Sequence, residues 1–122
     1  MNETIFWQCL DELVASHELI IDRPKGSAHP RYPDFNYPYD YGYLKGTQSM
    51  DQGGIDVWCG SQPERMLTAV ILTVDRVKND TEMKLLLGCT SEEIQAILNL
   101  HNSGSQAGIL IRRSETGKPI DH

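Results

Sequence analysis

At 122 residues the chain is long enough for one domain with a core of its own and too short for two. Seventeen acidic against eleven basic residues give a net charge of −6, which argues against the basic face that nucleic-acid binding requires. No apolar run approaches the ~20 residues of a membrane helix. The opening stretch MNETIFWQCLDEL has acids within its apolar part and no basic start, so it does not read as a secretory signal. The expectation is a cytoplasmic protein with no nucleic-acid and no membrane partner. Cys9, Cys59 and Cys89 are odd in number and far apart, the pattern of buried reduced thiols and not of a disulfide framework or a zinc site.

In chain order, Ile5, Phe6, Cys9, Leu10, Leu13 and Val14 recur at helical spacing and predict an amphipathic helix packed on the rest of the domain, with a homo-oligomer contact as the alternative use of its stripe. Leu19-Ile20-Ile21 predicts a strand that ends at Asp22-Arg23-Pro24. From Pro24 to Gly54 prolines alternate with five tyrosines. Linkers rich in proline rarely carry so many rings, so this stretch is expected to be ordered, irregular and able to hold a site. Ile55 to Cys59, Met66 to Val74, Lys84 to Leu87 and Gly108 to Ile111 predict further strands, the second being the strongest because of its β-branched content. Thr90-Ser91-Glu92-Glu93 is a capping box that opens a helix running to about His101. Residues 113–122 read as a loose tail. Five or six strands grouped between two helices predict an α+β fold with a small, mostly antiparallel sheet or barrel, all within a single domain over residues 1–122.

The stretch Asp51-Gln52-Gly53-Gly54-Ile55-Asp56 places two carboxylates around a glycine turn, where both can converge on one hard cation such as Mg²⁺. Taken alone it is more often an ordinary acidic turn. Its surroundings raise its standing. The run Asp22-Arg23-Pro24, then Arg31-Tyr32, then Tyr37-Pro38-Tyr39-Asp40-Tyr41-Gly42-Tyr43, Thr47, and Asp51 to Asp56 resembles the soluble (family I) inorganic pyrophosphatases over about residues 19 to 59.

That resemblance implies an OB-like barrel that holds Mg²⁺ and hydrolyses pyrophosphate or a related phosphoanhydride. It makes Asp22, Asp51, Asp56 and Glu82 the metal ligands, with Asp51, Asp56 and Tyr41 in the catalytic group. It makes Arg31, Lys84 and Arg112 the groups that hold phosphate, and leaves Asp75 or Asp80 as the remaining metal aspartate. The chain also departs from the family's pattern. Gly53 stands in place of the middle aspartate of the signature, the stretch before Tyr37 is shortened, and the late Tyr-Lys pair has no match unless Arg112 or Arg113 replaces it. Arg31 offers a planar fork where the family has a compact ammonium. These losses imply weaker hold on metal and pyrophosphate. The alternative expectation is therefore a phosphate- or metal-binding module on the same fold with little or no turnover, and after it a structural relative in which the acidic loop is only a turn. No histidine stands beside a nucleophile in any motif, so covalent catalysis is not expected.

Overall fold

The computed structural model describes residues 3–49 and 53–114. Two helices, α1 (Glu3–Ala15) and α2 (Ser91–Leu100), accompany six strands: β1 (Leu19–Arg23), β2 (Asp40–Leu44), β3 (Ile55–Cys59), β4 (Leu67–Asp75), β5 (Asp80–Leu87) and β6 (Gln106–Arg112). The α+β expectation holds. All six strands join in one sheet of order β1-β2-β3-β5-β4-β6, in which only β3 and β5 run parallel. No helix among the described residues is long and apolar enough to cross a membrane.

The sheet is not closed into a barrel, because β1 and β6 stand at opposite edges of this order. The physical reason lies in the central strands, which are apolar on both faces. Side chains alternate across a strand. In Val57-Trp58-Cys59 and Leu85-Leu86-Leu87 every residue is nonetheless buried. Val57, Val70, Leu85 and Leu87 pack with Trp7 and Leu10 of α1. Trp58, Ala69, Ile71 and Leu86 pack with Ile94 and Ile97 of α2. A sheet covered on both faces has two cores, whereas a small barrel has one interior.

Two elements differ from the sequence expectation in detail. On α1, Trp7 and Leu10 are the buried residues, while Ile5 and Phe6 are 56% and 42% exposed and Cys9 is also exposed. The helix thus presents Trp7, Leu10, Leu13 and Val14 to the core, a stripe rotated from the one expected. The Trp7 ring sits under the Arg113 guanidinium, 5.6 Å from its centroid. Arg113, placed by sequence in a loose tail, is fixed: two of its nitrogens donate to the Asp11 carboxylate at 2.8 and 2.7 Å. Residues 115–122 of that tail lie outside the described residues.

The Tyr41-Gly42-Tyr43 motif has a structural half. A Cβ on Gly42 would stand 1.8 Å from the Ile20 carbonyl oxygen, so β1 can approach β2 this closely only over a glycine. The β1–β2 register shifts between Ile20 and Arg23, next to that contact. Thr47 ties β2 to β3: its hydroxyl donates to the Leu44 carbonyl at 2.7 Å and accepts the Ile55 N–H at 2.9 Å.

Candidate functional site

On the α2 face, three strands bring four of the expected site residues together. Asp56 on β3 lies directly opposite Lys84 on the parallel strand β5. Tyr43 on β2 lies opposite Asp56 and Tyr41 opposite Trp58, so the period-two alternation puts Tyr41, Asp56 and Lys84 on one face. Glu82, two residues before Lys84, shares it. The Lys84 ammonium donates to Asp56 Oδ2 at 2.5 Å, to the Tyr41 hydroxyl at 3.1 Å and to Glu82 Oε1 at 3.3 Å. Lys84 and Glu82 side chains are each 8% exposed and Asp56 is 18% exposed, so the ion pairs are poorly screened.

Burial alone would lower the Lys84 pKa, but Tyr41, Asp56 and Glu82 outweigh it and hold the ammonium above its usual range. Burial, reinforced by the Asp56 charge, raises the Tyr41 phenol despite the opposing pull of Lys84. Tyr41 is therefore a neutral hydrogen-bonding group at ordinary pH, and Lys84 a permanent cation.

This cluster floors a cavity of about 660 Å³. Asp22 lines the cavity from the exposed end of β1. Arg23 lines it too, its Nη1 donating to the Tyr37 hydroxyl at 2.6 Å with the guanidinium 5.7 Å from the Tyr37 ring centre. The hydrogen bond to Tyr37 is the main reason the Arg23 pKa is raised. Rings continue the wall: Tyr41 and Tyr37 stack at 5.4 Å, Tyr37 and His29 at 6.0 Å, and His29 meets Tyr32 at 5.0 Å. His29 Nδ1 accepts the backbone N–H groups of Arg31 and Tyr32 at 3.0 and 3.2 Å, which places the ring proton on Nε2. Burial first, then the charges of Arg23, Lys78 and Arg31, lower the His29 pKa.

His101 joins the far wall from the C-cap of α2. Its Nε2 accepts the Trp58 indole N–H at 3.0 Å, so Nδ1 carries the proton and donates to Gln106 Oε1 at 2.6 Å. Burial lowers the His101 pKa and keeps this tautomer neutral.

The other expected residues fall elsewhere. Asp51 lies outside the described residues, so its meeting with Asp56 is not described. Among the described residues no three acidic, histidine or cysteine side chains converge as metal ligands. Asp22, Asp56 and Glu82 do not form such a group, and the cation between Asp56 and Glu82 is the Lys84 ammonium. Arg31 is exposed, and its backbone N–H serves the His29 turn. Arg112 lies at the opposite end of β6 from Gln106 and lines a separate cavity of about 730 Å³ beside α1. In the ladder Arg112 lies two residues beyond Leu110, which shares a row with Ile71 and Lys84, so β4 stands between it and the cluster. Asp75 lines the site cavity, but its Oδ1 accepts the Val77 and Lys78 N–H groups and the Ser105 hydroxyl, bonds that lower its pKa, that from Lys78 most. Asp75 thus holds the β4–β5 turn, with Asp80 opposite it in the ladder. Asp40 accepts the Lys25 N–H at 2.8 Å.

Sequence reasoning missed Arg23, His29 and His101. Arg23 lay inside the recognised run without a role. The two histidines have no spacing motif; only the fold brings them to the cavity.

No family model and no curated protein matches the chain. Among solved structures, the chain is similar to an inorganic pyrophosphatase from Helicobacter pylori at 14% identity, over 80% of this chain and 85% of that one, with a TM-score of 0.56. It is also similar to an inorganic pyrophosphatase from Neisseria gonorrhoeae at 15% identity, over 83% of this chain and 78% of that one, with a TM-score of 0.50. The shared property at this identity is the fold.

Proposed function

We propose that the cavity floored by Tyr41, Asp56, Glu82 and Lys84 takes pyrophosphate or a related phosphoanhydride, and that the chain is a pyrophosphatase-type hydrolase. The observation that carries this reading is the convergence of those four motif positions, from three strands, on a fold shared with inorganic pyrophosphatases. Lys84 and Arg23 supply fixed cations on the floor and wall of the cavity. Tyr41, protonated, holds the Lys84 ammonium in place. Asp56 and Glu82 keep it charged.

Mg²⁺ is the cofactor of this reading, and when bound it would polarise phosphoryl oxygens and acidify a water. The described residues do not by themselves make its ligand set, since Asp56 and Glu82 both engage Lys84 and no third acid joins them among the described residues. The metal part of the reading therefore rests on Asp51 joining Asp56 across the Gly53-Gly54 turn. Phosphate release from pyrophosphate, with and without Mg²⁺, tests it. Turnover is expected to need Mg²⁺ and to fall by at least about 100-fold in the Asp51→Asn, Asp56→Asn double variant, more than loss of an outer hydrogen bond costs. Equal turnover in that variant refutes the site.

A second reading is a module on the same fold that binds phosphate compounds with little or no turnover. Gly53 in the acidic signature and the double ion pairing of Lys84 favour it. Calorimetric binding of pyrophosphate without phosphate release would select it over the hydrolase.

A further inference from the structure

The cavity holds more than a pyrophosphate site needs. Pyrophosphate is a compact anion, polar all round, and cations at one end of the cavity would satisfy it. The rest of the wall is aromatic. Starting at the Lys84 ammonium, which lies 5.7 Å from the Tyr41 ring centre, the rings run Tyr41, Tyr37, His29, Tyr32 in steps of 5.4, 6.0 and 5.0 Å. Tyr37 is buried at 5% exposure, whereas Tyr32, at the outer end, is 61% exposed. An isolated exposed tyrosine means little. This one ends a continuous row of rings that begins at the proposed phosphate cluster and lines one cavity throughout.

We infer that the substrate is a nucleoside phosphoanhydride, with the phosphates at the end of the cavity lined by Arg23 and Lys84 and the base stacked against Tyr32 and His29. This rests on the phosphoanhydride reading above and narrows it to a substrate class. Three features support it. A volume of about 660 Å³ lies within the ~300–1,000 Å³ range of pockets that take small organic ligands. Every nucleobase has a π-face that a tyrosine or imidazole can cover, a contact that does not need a base-specific hydrogen bond. His29 Nε2–H is a donor without a partner among the described residues, because Nδ1 takes both backbone N–H groups. It can donate to a ribose oxygen or a base acceptor.

The test compares ADP with pyrophosphate by calorimetry at one fixed Mg²⁺ concentration, in the wild type, Tyr32→Ala and Tyr32→Phe. Tyr32 donates only its exposed ring to the wall, so both variants are expected to fold, and circular dichroism melting checks this. The wild type is expected to bind ADP roughly tenfold tighter than pyrophosphate, the scale of one base–ring stack. Tyr32→Ala should bring that ratio close to one, and Tyr32→Phe should keep it. Pyrophosphate binding with no preference for ADP overturns this inference and leaves the phosphoanhydride reading standing. Binding of neither overturns both. A preference for ADP that survives Tyr32→Ala overturns the stacking site.

Discussion

The two faces of the sheet share their central strands but differ in chemistry. Toward α1, the buried cluster of Trp7, Leu10, Leu44, Val57, Val70, Leu85 and Leu87 is apolar, and Arg113 at its edge lies over the Trp7 ring and is matched by Asp11. Toward α2, Ile94, Ile97 and Leu86 are joined by Tyr37 and Trp58, and beside them lie buried Lys84 and His101, hydrogen-bonded to Tyr41 and to Trp58. The first face supplies non-directional burial. The second surrenders some of that burial to place polar atoms at fixed angles, and the cavity with the site is found there. Stability and chemistry are thus divided between the faces of one sheet, one residue apart along each strand.

The strongest way to break that division is to remove the cation of the polar face. Lys84→Met would leave Asp56 and Glu82 close together and poorly solvated, and is expected to cost about 3–5 kcal/mol in urea denaturation. Adding Asp56→Asn and Glu82→Gln to it should restore much of the loss, because the uncompensated carboxylates go with it. A midpoint unchanged by Lys84→Met would show that the ion pairs are not formed in solution.

Leu85→Ala and Leu86→Ala sharpen the comparison, because these neighbours point to opposite faces with full burial of each. Each should cost about 2–5 kcal/mol. Only Leu86→Ala, beneath Trp58 and Tyr37, is expected to weaken pyrophosphate binding as well. Equal effects of both on affinity would contradict the division between faces.

Mild acid should act on the polar face through its two histidines. His29 and His101 both have pKa values lowered in the folded chain, so the unfolded chain binds protons first as pH falls. Their contribution is present above the unfolded value of about 6.5 and is lost as pH falls from there through each folded value, at no more than about 1.4 kcal/mol per pH unit for each proton. His101→Gln should flatten part of that slope, and Trp58 fluorescence should report it. A slope identical in the variant would remove His101 from this account.

The smallest expected effect concerns the cover of the polar face. Thr90 accepts the Glu93 N–H while Glu93 accepts the Thr90 N–H, closing the N-terminus of α2. Thr90→Ala should lower stability by about 1 kcal/mol, measured as a melting shift. No shift would mean that Glu93, which also accepts the Ser61 N–H, holds the helix end alone.

Local chemistry wrote much of this molecule into the sequence. The capping box gave the start of α2 and the β-branched run gave β4, while the Tyr41, Asp56, Glu82 and Lys84 positions were recognisable only through the motifs that resemble the family I inorganic pyrophosphatases. The α1 stripe was misplaced because two overlapping sets of apolar residues compete there, and only contact with the sheet selects Trp7. The open sheet was also beyond local reading, since Leu85-Leu86-Leu87 is equally compatible with a barrel wall and with a strand covered on both sides. What tertiary structure alone decided is register and neighbourhood. Pairing β3 with β5 in parallel put Asp56 opposite Lys84, so an ammonium came to stand between two carboxylates that the sequence had suggested for a metal. The same long-range pairing left Arg112 lining the other cavity, beside α1, and brought His101 to the site. Side-chain type and spacing along a strand are short-range properties; which strand lies beside it depends on how the whole chain buries its apolar surface.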